Sequence, residues 1–336
     1  MMSAVLANNE TTSISRDKLY KSLIFQEQVF AEQKIQDLHT YAIIDGASNS
    51  EIKDMLEYFK PEFISLFNED LTKEADFACP WLVRLQPECR FTLWFIENVD
   101  RKKAACVFRS QIKNIRNLAD YYASYSIIEM EQSIKNDPTR GYFAFYDPRV
   151  FQAYLNSMNN EQREEFFYPL SAWYFENNKS NRLEVVAHST GTTWQEPVDL
   201  KQPNLISSRF EAMREQDIMS VHISPLLSQK QIAFINSYSE REFCVRVVEQ
   251  IHIHYPGKIP SFTAVDDALR YQQQAFKLGL LRESEQATYI LGASLFGSTF
   301  ITSPELQVCL KLAEETKRSA ADPLQQLIDS LIEEAS

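Results

Sequence analysis

The spacing of apolar residues changes character once along this chain, and that change fixes the class of fold open to it. Before Pro197, short apolar runs of strand length alternate with segments at helical spacing; beyond Pro203, only helical spacing remains. Tyr41–Ile44, Trp81–Leu85 and Ala104–Phe108 read as strands. Arg16–Leu38, Glu51–Phe59 and Phe91–Val99 read as amphipathic helices. Val198–Asn204, between the two prolines, carries little periodicity and reads as a boundary. With 336 residues the chain also exceeds what one core holds efficiently. The expectation is an α+β protein in two lobes. An N-terminal mixed α/β lobe with a small sheet covers residues 14–196, and a mainly α-helical C-terminal lobe covers 205–336.

Turn and cap chemistry refines this outline. Asp45-Gly46-Ala47-Ser48 is a turn after the first strand, and Asn49 or Ser50 caps a helix that stops before Pro61. Ser110 is placed to start another helix. Asn136 to Gly141 is dense in turn residues, so Tyr125–Glu131 and Tyr142–Tyr146 read as the arms of a hairpin. Asp147 then serves as N-cap and Pro148 as the first helical residue, where its missing N–H costs nothing. That helix runs to Tyr154 or Leu155, and Asn159 or Asn160 caps the next. Leu183–His188 and Thr192–Trp194 read as extended. In the second lobe, helices are expected over Ser228–Ile253, Ala264–Leu280, Ser284–Phe296 and Pro304–Arg318. A closing helix, Pro323–Glu334, carries the stripe Leu324, Leu327, Ile328, Leu331 and Ile332. Such a stripe either covers the second lobe or forms part of a partner surface.

A formal charge of −12, from 34 Lys and Arg against 46 Asp and Glu, opposes the field that would attract a phosphate backbone or an anionic membrane. No nucleic acid and no stable membrane association are expected. The 5 cysteines show no C-x-x-C spacing, so a reducing compartment fits better than a disulfide framework or a zinc knuckle. Without a secretory leader pattern or a membrane-length apolar run, the expected location is cytoplasmic.

No motif carries chemistry. Gly292–Thr299 matches a phosphate loop except that Ser298 stands where the lysine must be, and its glycines fall inside and at the end of a helical pattern. His252 and His254 would share a face on a strand but not on a helix, and the surrounding pattern is helical. No G-x-S-x-G elbow exists. The carboxylates Asp45 and Asp147 are already explained by a turn and a cap. No cofactor and no metal are therefore expected, and the alternative of a hydrolase or transferase with an unrecognised active site finds no local signature.

One compositional anomaly stands out. Fifteen of the 55 residues from Tyr121 to Phe175 are aromatic, against 12% across the chain. Either this is a thick aromatic core, or several of these rings line a contact surface. On the second reading Tyr142, Phe145 and Tyr174, together with Leu324, Leu327 and Leu331 of the closing helix, are the candidate partner-binding residues.

Several pieces occur in an order that resembles one family. They are Tyr41-Ala-Ile-Ile-Asp45-Gly46-Ala47, Pro80-Trp81-Leu82-Val83, Phe108-Arg109-Ser110, Phe145-Tyr146-Asp147-Pro148-Arg149-Val150 and Trp173. Together the chain is similar to the type VI secretion adaptor family, the Tap or Tec proteins, whose defining domain was long described only as of unknown function. The most specific piece is the Phe-Tyr-Asp-Pro-Arg-Val run. Cys79 stands where many members carry a glycine before the proline. The resemblance implies a chaperone, not itself exported, that binds one cognate effector and the VgrG spike and promotes their joining without catalysis. It also marks Asp45, Trp81, Arg109, Ser110, Tyr146, Asp147, Pro148, Arg149 and Trp173 as signature positions. Turns, caps and a buried Arg–Asp pair account for these as architecture. The expected binding place is a groove between the two lobes.

Overall fold

The computed structural model describes residues 22, 25–31, 33, 38–67, 79–130, 139–177, 182–189, 192–198, 226–259, 264–316 and 318–334. The chain divides into two compact units, Met1–Ile235 and Asn236–Ser336.

The first unit is built on a seven-stranded sheet of order β2-β3-β1-β4-β7-β8-β9. Its strands are β1 (His39–Asp45), β2 (Phe63–Ser65), β3 (Pro80–Leu85), β4 (Ala105–Ser110), β7 (Ala172–Asn177), β8 (Arg182–Ser189) and β9 (Thr192–Pro197). Every pairing in it is antiparallel. The expected small mixed sheet is thus larger and uniform in direction. Among the described residues, a mixed arrangement occurs only in a separate three-stranded sheet, where β5 (Ile127–Met130) pairs antiparallel with β6 (Thr139–Tyr142) and parallel with β10 (Leu226–Leu227).

Alternation sorts the side chains of the large sheet onto two buried faces. Ala42 registers with Val83 and Val107, and Ile44 with Trp81 and Ala105. This face packs against a helix over residues 25–31 (α1) through Phe25, Val29 and Phe30. It also meets α2 (Glu51–Phe59) through Ile52 and Leu56, and α3 (Arg90–Asn98) through Phe91 and Phe95. Tyr41 and Ile43, one residue out of step, point to the opposite face with Phe108 and Cys106. There the aromatic concentration of the sequence becomes core. Trp173 stacks on Phe108 with centroids 5.5 Å apart and rings 3° from parallel, and on Phe151 at 5.0 Å. Tyr122 and Tyr125 of α4 (Ile115–Ser126), Phe151 of α5 (Pro148–Ser157) and Phe166 of α6 (Asn160–Phe167) complete the layer.

Several local expectations shift. Tyr121, Tyr122 and Tyr125 share one buried helix face, so α4 runs through Ser126 and the hairpin arm begins only at Ile127. The second arm is Thr139–Tyr142 rather than Tyr142–Tyr146, with Tyr142 opposite Ile127. Ser110 does not start a helix. It ends β4, and its hydroxyl donates to the Pro169 carbonyl at 2.6 Å while accepting the Ile112 amide at 3.1 Å. The start of α4 is instead served by Asn114, whose Oδ1 accepts the Arg116 amide at 3.0 Å.

In the second unit the helices α7 (Gln229–His254, whose first turns precede Asn236), α8 (Ala264–Lys277), α9 (Glu283–Phe296), α11 (Pro304–Thr316) and α12 (Ala321–Glu334) follow the sequence spacing closely. A single-turn helix, α10 (Ser298–Ile301), separates α9 from α11. The near-phosphate-loop glycines have structural jobs. A Cβ on Gly292 would lie 2.6 Å from the Phe300 ring, and Gly297 ends α9 at φ +55°.

Candidate functional site

Three of the signature positions, Asp45, Asp147 and Arg149, converge though they are far apart in sequence. Asp45 closes β1, and its Oδ1 accepts the Ala47 amide at 3.0 Å, holding the Gly46–Ser48 turn. Its own amide donates to the Ala104 carbonyl at 2.7 Å, which fixes this end of the strand. Asp147 sits at the N-cap of α5 with its Oδ1 on the Arg149 amide at 2.9 Å. The Arg149 side chain folds back on the same carboxylate, its Nε 2.9 Å from Oδ1 and 3.0 Å from Oδ2. The Cys106 thiol, near the start of β4, donates to the Tyr146 carbonyl at 3.2 Å and ties the sheet to the loop that carries Asp147.

The charges in this corner feel one another. Burial pushes the Asp45 carboxyl above its usual range; the Ala47 amide opposes the shift, the Asp147 charge adds to it and Arg149 offsets it. Burial, assisted by Asp147, also drives the Cys106 thiol well above its ordinary value, which removes it from nucleophilic chemistry near neutral pH. Every polar group here is spent on holding a turn, a cap or a loop, as an Asp–Arg pair at a helix N-terminus does.

The remaining signature residues are interior. Trp173 and Arg109 are fully buried, the Arg109 guanidinium carbon lying 5.4 Å from the centre of the Tyr174 ring. Trp81, Ser110, Tyr146 and Pro148 are buried too.

The candidate partner-binding residues need correction. Phe145 and Tyr174 are 0% and 1% exposed. Phe145 packs among Tyr122, Phe166 and Trp173, and Tyr174 lies on the opposite sheet face beneath Arg109, so neither ring is offered to a partner. Both faces of the sheet are covered, and that is where the rings go. Tyr142 is placed in β6, but its side chain lies outside the described residues. Leu324 and Leu327 are buried and Leu331 is half-buried against Tyr289, Ala293 and Leu306, so α12 covers the second unit's core. Most of its stripe is therefore spent inside the unit.

An open feature lies elsewhere, in the second unit, where α7 and α9 enclose a trough of about 290 Å³. Its apolar lining comes from Phe243, Val247 and Ile251 on α7, from Tyr255 just past the end of that helix, and from Ala287 and Leu291 on α9. The signal for it was available in the spacing of four residues along α7, but a buried stripe and an open one look alike in sequence. His252 and His254 lie in the last turn of the same helix. Among the described residues, no group of three or more His, Cys, Asp or Glu side chains is placed to hold a metal ion.

Fold and site together define a two-unit α+β protein whose most patterned residues form a structural corner. Residues 40–165 match a family model described as a domain of unknown function, DUF4123. The match spans every signature position except Trp173. No curated protein and no solved structure matches the chain.

Proposed function

We propose that the protein is a cytoplasmic adaptor of type VI secretion, which binds one cognate effector and promotes its loading onto the VgrG spike without catalysis. The observation that carries this reading is a coincidence of position. The domain match covers residues 40–165, the same stretch whose Asp45, Trp81, Arg109 and Asp147-Pro148-Arg149 resemble the adaptor signature.

The chemistry of the molecule supports it. The carboxylates that stand out in sequence are bound to backbone amides and to Arg149, and the best-placed thiol, Cys106, is buried. A chain that spends its patterned polar residues on turns and caps is suited to presenting surfaces. The acidic balance, −12 overall, suits basic or apolar protein segments.

Affinity capture of the tagged protein from its own bacterium, followed by mass spectrometry, tests the proposal. The expected result is one effector and a VgrG protein, both enriched over a tag-only control. Recovery of neither with the protein folded contradicts the proposal.

A further inference from the structure

We infer that the trough between α7 and α9 is a docking site for one amphipathic helix, which enters it with a row of aliphatic side chains and carries charges opposite to the trough's rim. The inference rests on the adaptor reading for the identity of the natural partner, but its geometry stands alone.

Shape decides against a compact small molecule. The lining on α7 runs from Phe243 to His254, which at a helical rise of about 1.5 Å per residue makes a furrow of about 17 Å, continued by Tyr255 just past the helix end. A volume of about 290 Å³ drawn out over that length is narrow. It accepts side chains in file, not a ligand body or a whole helix. The α7 residues recur at intervals of four, and Ala287 and Leu291 on α9 are likewise four apart. Side chains spaced at i, i+4 and i+7 on a third helix match such a furrow, as in other helix-in-groove contacts.

The floor is anchored and the walls are open. Phe243 and Ile251 are 7% and 3% exposed and belong to the unit's core, while Val247, Tyr255, Ala287 and Leu291 remain partly exposed above them. The rim is charged with opposite signs on its two sides. Arg246 comes from α7, its guanidinium carbon 5.9 Å from the Phe243 ring centre, and exposed Glu283 comes from α9. Exposed His254 extends the α7 side. A helix with acidic residues on one flank of its apolar row and basic residues on the other is therefore matched in one of its two directions, whereas a helix with like charges on both flanks is opposed at one side whichever way it lies.

The test uses the full chain and a labelled synthetic helix of about 15 residues with leucines at i, i+4, i+7 and i+11, glutamates on one flank and lysines on the other. Two controls are a peptide with glutamates on both flanks and one with the leucines replaced by serine. Fluorescence anisotropy is expected to show the first peptide binding at least about tenfold more tightly than either control. Val247→Lys is expected to weaken it by a similar factor with the melting temperature unchanged. Glu283→Arg, which leaves both sides of the rim basic, is expected to reverse the preference between the mixed-flank peptide and the glutamate-flanked one, and it carries the test if Val247→Lys lowers the melting temperature. Indifference to the flank charges, or full binding by a folded Val247→Lys protein, overturns the inference. Capture of the cognate effector equally by wild type and Val247→Lys overturns the trough while leaving the adaptor reading intact. Peptide selectivity as described, with no effector captured, supports the trough and removes the adaptor reading instead.

Discussion

Asp45 and Asp147 each do two things at once, and substitutions can separate them. Asp147 caps α5 and holds Arg149, so Asp147→Ala removes both and is expected to lower stability by about 1–2 kcal/mol, read by chemical denaturation. Partner binding should survive, because none of these atoms is free for recognition. Asp45→Asn separates charge from geometry. The amide oxygen can still accept from Ala47, whereas the charge that burial and Asp147 disfavour is gone. The sign follows from linkage. A carboxyl raised above its ordinary 3.8 binds protons more readily in the folded chain, so its contribution to stability falls as pH rises through the raised value. The variant should therefore melt at or above the wild-type temperature at pH 7, while Asp45→Ala should melt lower.

Glu285 shows the opposite sign at the scale of packed elements. Burial alone would raise its carboxyl, but the amides of Arg282 and Ala320, each 3.1 Å from a carboxylate oxygen, and the Ser319 hydroxyl outweigh it and hold the group below its ordinary 4.5. Through these bonds α9 is tied to the start of α12. A lowered carboxyl stabilises the fold above its unfolded value and loses that contribution as pH falls through the folded one. Thermal melts between pH 6 and acid conditions should thus fall more steeply for wild type than for Glu285→Gln, whose stability at pH 6 should be lower by about 1–2 kcal/mol. Deleting residues 322–336 should cost more. Leu324 and Ile328 are 0% exposed, and burial of such side chains contributes about 1.5–3 kcal/mol each. A truncated chain that melts like the full one would contradict the role of α12 as a cover.

These elements were legible to different degrees, and the reasons are physical. Local chemistry placed α2 at Glu51–Phe59 and α5 from Pro148, because caps and prolines act within a few residues of themselves. The second unit's helices followed from regular stripes. β7 escaped because Ala172-Trp173-Tyr174-Phe175 is buried on both sheet faces and shows no alternation. The aromatic cluster was visible, but whether it faced inward or outward depended on helices covering both faces, a long-range fact. The convergence of Asp45 with Asp147 and Arg149 needed the fold itself.

At the scale of the molecule, no helix among the described residues is long and apolar enough to cross a membrane. The first unit contains the domain match and spends its signature on a rigid corner; the second carries the open trough. On the proposed adaptor reading, the protein should be dispensable for the secretion machine and required for one cargo. The most direct measurement is quantitative mass spectrometry of secreted proteins from the bacterium with and without this gene. Loss of one effector from the secreted fraction is expected, with the other effectors still exported and export restored by a plasmid copy. Unchanged export of every effector, or loss of all of them together, would contradict a cargo-specific adaptor.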